Sequence, residues 1–240
     1  TVATEMYSAG IDRLTHQPLS FSVSETTEGV HIHIIDAELM GKGEKEKKDL
    51  YIEGVQNNGI INHYEYIINS EGTIEIRHVL KPEGKMPLWF PRIGLTLTVS
   101  DALDQVKWYG RGPQENYPDR KTGYPTGIYA STVQAMYEPY LMPQDYGLRT
   151  DGRWLQLTTD KGIGLQFKMN EWFNFNIYPY STDNLTKAMY TYQLQKQKGM
   201  TLNLDYATTG VGCTARGVFG AYKAMPQEYR RTISIRPMMK

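Results

Sequence analysis

Apolar and polar residues alternate with a period of two along much of the chain. Val30, Ile32 and Ile34 alternate with His31 and His33; Ile74, Ile76, His78 and Leu80 alternate with Glu75, Arg77 and Val79. Successive side chains of a strand point to opposite faces, so each stretch predicts a half-buried strand. Turn chemistry falls between such stretches, at Asn57-Asn58-Gly59, Asn69-Ser70-Glu71-Gly72 and Thr159-Asp160-Lys161-Gly162. Further strands are predicted at 93–99, 105–109, 154–158, 163–168, 173–178, 201–206 and 229–236. One short helix is predicted at 182–189, with Ser181 or Thr182 as N-cap and Asp183 in its first turn. So many strands with so little helix predict an all-β chain of two stacked antiparallel sheets.

Composition narrows the partners. The 240 residues suffice for a sizeable core, and a single all-β domain of this length is ordinary. Basic and acidic residues balance at 26 each, which argues against nucleic acid or an anionic membrane as partner. The single cysteine, Cys213, excludes an internal disulfide and leaves the compartment open between cytoplasm and periplasm. No stretch approaches the roughly 20 apolar residues of a membrane helix. The opening Thr1-Val2-Ala3-Thr4 lacks the basic and apolar regions of a signal peptide. The charge-dense run at 41–49 reads as a solvated loop. Eighteen tyrosines suit sheet surfaces first, and sugar faces second.

Candidate chemistry is sparse. All five histidines lie within the first 80 residues. His31 and His33 share a strand face, but two donors fall short of the three or four that a metal usually takes, so no metal is expected. Nucleophile elbows, His-Glu-x-x-His and phosphate loops are absent, and Gly110-Arg111-Gly112 is followed by Pro113 rather than by a dinucleotide fingerprint. No cofactor is expected. Glu115, Asp119, Asp151 and Glu171 each have an arginine or amide close in sequence and read as ion-paired structural carboxylates.

Two segments stand apart. The first is 108–123, WYGRGPQENYPDRKTG, where Pro and Gly stiffen a loop leaving a strand. Its Arg111, Glu115, Asn116, Asp119 and Arg120 can satisfy one another, while Trp108 and Tyr109 offer flat faces beside hydrogen-bonding groups, as a sugar requires. The second is 143–154, PQDYGLRTDGRW. As a regular strand it places Arg149, Asp151 and Arg153 on one face, an acid between two bases, with Trp154 next in line.

These two segments, with Tyr137-x-Pro-Tyr140, Gly210-Val211-Gly212-Cys213, AGIDRL at 9–14 and PRIGLTLTV at 91–99, closely resemble the C-terminal small-chain domain (domain 5) of family 2 β-galactosidases. The resemblance implies a galactose-mutarotase-like supersandwich of two large antiparallel sheets, spanning 1–240 as one domain. It implies catalytic glutamates in a separate upstream TIM barrel of the same polypeptide, and none here. It also implies carbohydrate, a β-galactoside or related oligosaccharide, as ligand, and it permits a homo-oligomer. Three departures follow from it. The family's usual opening segment, Pro-Asn-Phe-Trp-Arg-Ala-Pro-Thr-Asp-Asn-Asp, is missing. In the pocket-edge stretch of Cys213, Arg216 and Gly217, relatives place a tryptophan where Gly217 stands. Tyr190 and Gln193 replace a typical His and Glu.

The leading expectation is therefore an accessory domain that shapes the edge of a glycosidase site and is not catalytic alone. An autonomous carbohydrate-binding module using Trp108, Tyr109, Trp154 and Trp172 is the second reading. An aldose mutarotase is the third, and it wants a histidine acid that the chain lacks after His78.

Overall fold

The structure is a computed structural model that describes residue 6 and residues 10–40, 58–212 and 217–239. The charged run at 41–49, Ala9, Asn57 of the first turn, Cys213 and Arg216 lie outside the described residues. The chain divides into two compact units, one of Thr1–Pro91 with Lys223–Ser234, the other of Arg92–Tyr222 with Ile235–Lys240. Among the described residues the architecture is all-β apart from short helical turns, and the strand pairs follow antiparallel registers.

In the first unit, β1 (Thr15–Thr26), β2 (Gly29–Leu39), β3 (Gly59–Ile68) and β4 (Ile74–Glu83) form a meander, with the start of the last strand, β11 (Tyr229–Met238), beside β4. The alternation read from sequence sets the faces. Ile76, His78 and Leu80 point inward and are buried, whereas Arg77 and Lys81 are exposed. β1 was not predicted. Pro18 interrupts its pattern, and an edge strand tolerates a missing N–H that a central strand does not. The register shifts between Pro18 and Ser20, and most of the strand, including Phe21 and Val23, is exposed.

A polar chain runs through this sheet. Asn62 Nδ2 donates to Asp36 Oδ1 at 2.9 Å, so its Oδ1 is left to accept from His78 Nε2 at 3.1 Å. The His78 imidazole lies flat on the Tyr64 ring, with centroids 4.2 Å apart and planes 12° from parallel. Burial, helped by the nearby His63, lowers the His78 pKa from 6.5 to about 4.

The second unit contains β5 (Arg92–Val99), β6 (Gln105–Arg111), β7 (Thr126–Thr132), β8 (Arg149–Thr158), β9 (Gly164–Tyr178) and β10 (Met200–Thr208). They are ordered β5-β10-β9-β8-β6-β7. Its core gathers Trp108, Leu155, Leu157, Phe167, Phe173, Phe175, Leu202 and Leu204, each at most 2% exposed. Burying one such side chain contributes about 1.5–3 kcal/mol, so this layer is the main cohesive term of the unit. β10, between β5 and β9, is buried on both faces over its first seven residues. The two strands expected at 163–168 and 173–178 are one continuous β9. β7, a short edge strand with Gly127 and Ala130, carried too weak a pattern to predict. Helix α1 (Thr182–Lys187) is capped by Ser181, whose hydroxyl accepts from the Asn184 N–H at 3.1 Å.

The His78 environment predicts acid sensitivity. Between pH 6.5 and about 4 the unfolded chain takes a proton on His78 that the folded chain refuses, so stability falls as pH falls through that window. The lost contribution is roughly 3 kcal/mol. Urea denaturation of wild type and His78→Phe from pH 7 to pH 4 should show a steeper decline in wild type. Parallel declines would contradict this account.

Candidate functional site

The 108–123 segment leaves the end of β6 over a rigid floor. Trp108 is 1% exposed; its Nε1–H donates to the Arg111 carbonyl at 3.0 Å, and its ring meets Tyr129 and the edge of Phe175. The loop passes so near that a Cβ on Gly112 would stand 2.9–3.1 Å from the Tyr129 and Trp108 rings, which explains glycine there. Trp108 therefore supports the loop from beneath and presents no face to a ligand.

Above that floor, the charged side chains sort into separate clusters. Glu115, 6% exposed, accepts from Arg120 Nη2 at 2.7 Å, the Gly147 N–H at 2.9 Å, the Tyr117 hydroxyl at 3.3 Å and the Tyr140 hydroxyl. Burial and the adjoining carboxylate push the Tyr117 hydroxyl well above its ordinary range, so it remains a donor. Asp151 takes Arg111 Nε at 2.5 Å and Lys121 Nζ at 2.8 Å. Burial opposes its ionisation, but those two cations outweigh burial and hold its carboxyl below the usual range. Arg111 Nη1 also donates to the carbonyls of Lys121 and Tyr124. Asn116, wholly buried, accepts from the Thr150 N–H and hydroxyl, and its own N–H donates to the Leu148 carbonyl at 2.8 Å. The contacts to Tyr140, Gly147, Leu148, Thr150 and Asp151 tie the loop to β8 or to the segment leading into it, while the others brace the loop within itself.

Asp119 acts at longer range in sequence. Its two oxygens accept the N–H groups of Val211 and Gly212 at 3.1 and 2.7 Å, clamping the start of the 210–217 stretch. Gly210 lies so close that a Cβ would collide with the Asp119 carboxylate. Gly217 is exposed, and a side chain added there meets nothing within 4 Å.

The expected ladder of Arg149, Asp151 and Arg153 does not form. Register shifts on both sides of Gly152 break the alternation, and Asp151 adopts φ 56°, a left-handed conformation that aspartate tolerates. Arg149 turns inward instead, over the Trp108 ring, and donates to the carbonyls of Pro113 and Gly147 at 3.1 and 2.8 Å. Among the described residues no carboxylate stands within 4.0 Å of it, and burial, only partly offset by Glu138 and Glu115, lowers its pKa to about 10. Arg153 turns outward. Its guanidinium lies 3.9 Å from the Trp172 ring centroid and 5.5 Å from that of Tyr109. Tyr109 pairs with Trp154 across β6 and β8, giving an outer aromatic patch of Tyr109, Trp154 and Trp172 around Arg153. Trp172 is 60% exposed and Tyr109 37%.

A second polar network escaped the sequence reading because its members are scattered over β5, β9, β10 and the segment before β8. Arg92 reaches Asp205 Oδ2 at 2.8 Å, Asn176 Oδ1 at 3.3 Å and Asp145 Oδ1 at 3.5 Å. Asn203 Nδ2 joins Asn176 Oδ1 at 2.8 Å. Asp205 is fully withdrawn from water; burial, only partly countered by Arg92, raises its pKa to about 6. Alternation along β10 places Thr201, Asn203 and Asp205 on one face, but nothing local distinguishes them from surface polar residues. Likewise Tyr140, Lys121 and Thr150 enter the loop clusters only through the fold. Tyr190 and Tyr192 stack at 5.5 Å on the surface, and Gln193 Oε1 accepts the N–H groups of Met189 and Tyr190.

The geometry defines a class first: an antiparallel β protein bearing a loop braced by internally satisfied carboxylates beside an exposed aromatic patch. Residues 6–235 match the family described as beta galactosidase small chain, and the chain belongs to that family. A beta-galactosidase of Priestia megaterium is 37% identical over 147 residues, which cover 61% of this chain and 14% of that protein. One of Vibrio cholerae is 31% identical over 207 residues, covering 86% of this chain and 18% of that protein. The chain thus spans less than a fifth of these curated relatives. A solved GalM/aldose epimerase homologue from C. elegans aligns at TM-score 0.43 and 12% identity over 91% of this chain and 68% of that one, a likeness on which nothing rests.

Truncating Glu115 to alanine leaves two buried donors, the Tyr117 hydroxyl and the Gly147 N–H, unmet, at about 1–3 kcal/mol for each unsatisfied group. Glu115→Ala should therefore lower unfolding free energy by at least about 2 kcal/mol in urea titrations, whereas surface Arg153→Ala should cost less than about 1 kcal/mol. In Asp119→Ala, hydrogen exchange at Val211 and Gly212 should accelerate while amides of β10 stay protected.

Proposed function

We propose that the chain is an accessory domain of a β-galactosidase-type glycoside hydrolase, working as one small-chain domain beside a catalytic barrel of the same polypeptide. In this reading it shapes the rim of a β-galactoside site through the 108–123 loop and the 210–217 stretch, and it is not catalytic alone. The observation that carries the second half is the occupancy of three of the four carboxylates that the sequence singles out. A glycosidase needs two carboxyls flanking one bond, about 5 Å or about 6.5–9.5 Å apart, with at least one free to exchange a proton. Glu115, Asp119 and Asp151 are instead engaged with arginines, lysine, hydroxyls and backbone N–H groups, which suits holding a loop in one shape.

The clamp from Asp119 onto Val211 and Gly212 couples the two loops, so one surface could present both to a sugar held by the barrel. Gly217 leaves that rim without the aromatic side chain that the family resemblance would place there. Aromatic stacking on a flat ring is worth about 1–3 kcal/mol in other systems, so its restoration is measurable. In the full-length parent enzyme, Gly217→Trp should lower KM for a β-galactoside with little loss of stability, because a Cβ added at this exposed position meets nothing within 4 Å.

The isolated chain should not hydrolyse a chromogenic β-galactoside above a Glu115→Ala control. Clear turnover by the wild-type chain would refute the proposal. The patch of Tyr109, Trp154 and Trp172 favours a second reading, a carbohydrate-binding surface in its own right. Titration calorimetry with galactosides, xylan fragments and uronic-acid oligosaccharides separates the two. Heat of binding that vanishes in Trp172→Ala supports the module, and no heat supports pure scaffolding.

A further inference from the structure

We propose that the outer face of the β2–β3–β4 sheet carries a site for a divalent transition metal of the zinc class, with His31, His33 and Glu65 as protein ligands. Sequence offered two donors on one strand and no third. The register supplies it, because Glu65 of β3 lies directly opposite His33 of β2. Cross-strand partners share a face, so its carboxylate stands beside both imidazoles. His31 Nδ1 and His33 Nε2 lie 3.5 and 4.0 Å from Glu65 Oε1, and one donor atom from each residue falls within 4.8 Å of the others. A tetrahedral zinc with bonds near 2.0–2.1 Å holds its ligands about 3.3 Å apart. Small side-chain rotations close that difference, and water can complete the fourth position.

The surroundings fit such an ion. A metal-bound histidine usually gives its other ring N–H to a carboxylate, which fixes the tautomer. His31 Nε2 is buried with no hydrogen-bond partner, and the nearest carboxylate, Glu28 Oε2, is 4.0 Å away on a largely exposed side chain. Binding through Nδ1 would direct the Nε2 proton toward Glu28 and satisfy the orphaned nitrogen. Glu65 is steadied in the same way. Arg77 Nη1 donates to its Oε2 at 3.1 Å, leaving Oε1 toward the imidazoles, while Arg77 Nε is held by Glu75 at 2.8 Å. Around the site three carboxylates, Glu28, Glu65 and Glu75, face one guanidinium, so the local field attracts a dication despite Arg77. Imidazole nitrogen with a single carboxylate oxygen suits zinc, copper or nickel better than magnesium or calcium, which prefer all-oxygen shells.

The test is a titration of the tag-free, full 240-residue chain with Zn²⁺ against a chromogenic chelator, together with Co²⁺ absorption in the visible. One equivalent of saturable binding is expected. His33→Ala and Glu65→Gln should each weaken it at least tenfold, and Glu28→Gln by about tenfold, the usual scale for an outer-sphere partner. His63→Ala, an exposed histidine of the same sheet outside the cluster, should bind as wild type does. Circular dichroism checks that each variant remains folded; His33 is exposed and Gln is nearly isosteric with Glu, so two independent variants report on the site. Absence of one-equivalent binding in wild type, or undiminished binding by folded His33→Ala, overturns the proposal.

Discussion

A carboxylate withdrawn from water must find donors for its oxygens, and Glu115 finds them in four places along the chain. Arg120 and Tyr117 come from its own loop, Tyr140 from the segment after β7, and the Gly147 N–H from the approach to β8. A buried charge without such partners would cost several kcal/mol, so the loop and the approach to β8 adopt their shapes together. Asp151 repeats the arrangement from the other side, drawing Arg111 and Lys121 toward β8. Under both lies Trp108, whose indole fixes the height at which the chain leaves β6.

This bracing decides which residues remain for recognition. Arg111, Glu115, Asn116 and Asp119 are chemically capable of holding a sugar, yet their hydrogen-bonding capacity is largely spent inside the protein, whereas the half-exposed Arg120 gives one N–H to Glu115. Among the described residues, surfaces with unspent capacity include the outer patch of Tyr109, Arg153, Trp154 and Trp172, and the open edge at Gly217. In the proposed reading, a rigid, self-satisfied loop serves as a rim against which another domain works. That is consistent with a chain that matches only a small part of its much longer relatives.

The first unit follows a different logic. Alternation puts His78 inward, against Tyr64 and Asn62, and His31 and His33 outward, against Glu65. One strand meander therefore makes two kinds of histidine: one kept neutral by burial on the inner face, and two on the outer face, the half-buried His31 and the exposed His33.

Much of the fold was legible in sequence because a period of two encodes which face of a strand is buried, and turns have their own chemistry. β2, β4, β5, β6, β10 and β11 were readable on those grounds, as was the capped helix α1. The 108–123 motif carries the family resemblance in sequence alone, since its run of Gly, Pro, Arg and carboxylates admits few other contexts. β1, β3 and β7 were not predicted: the edge strands β1 and β7 bear little burial and tolerate Pro and Gly, and in β3 the apolar residues Ile60, Ile61, Ile67 and Ile68 fall on both faces and blur the alternation. The Arg149-Asp151-Arg153 ladder failed for a related reason: bulges around Gly152 break the alternation, and no local pattern announces them. What only the tertiary structure decided is partnership across large sequence separations. Asp119 meets Gly212, Arg92 meets Asp205 and His33 meets Glu65 because sheet register and loop closure bring them together, and pairing over such distances leaves no periodic trace in the chain.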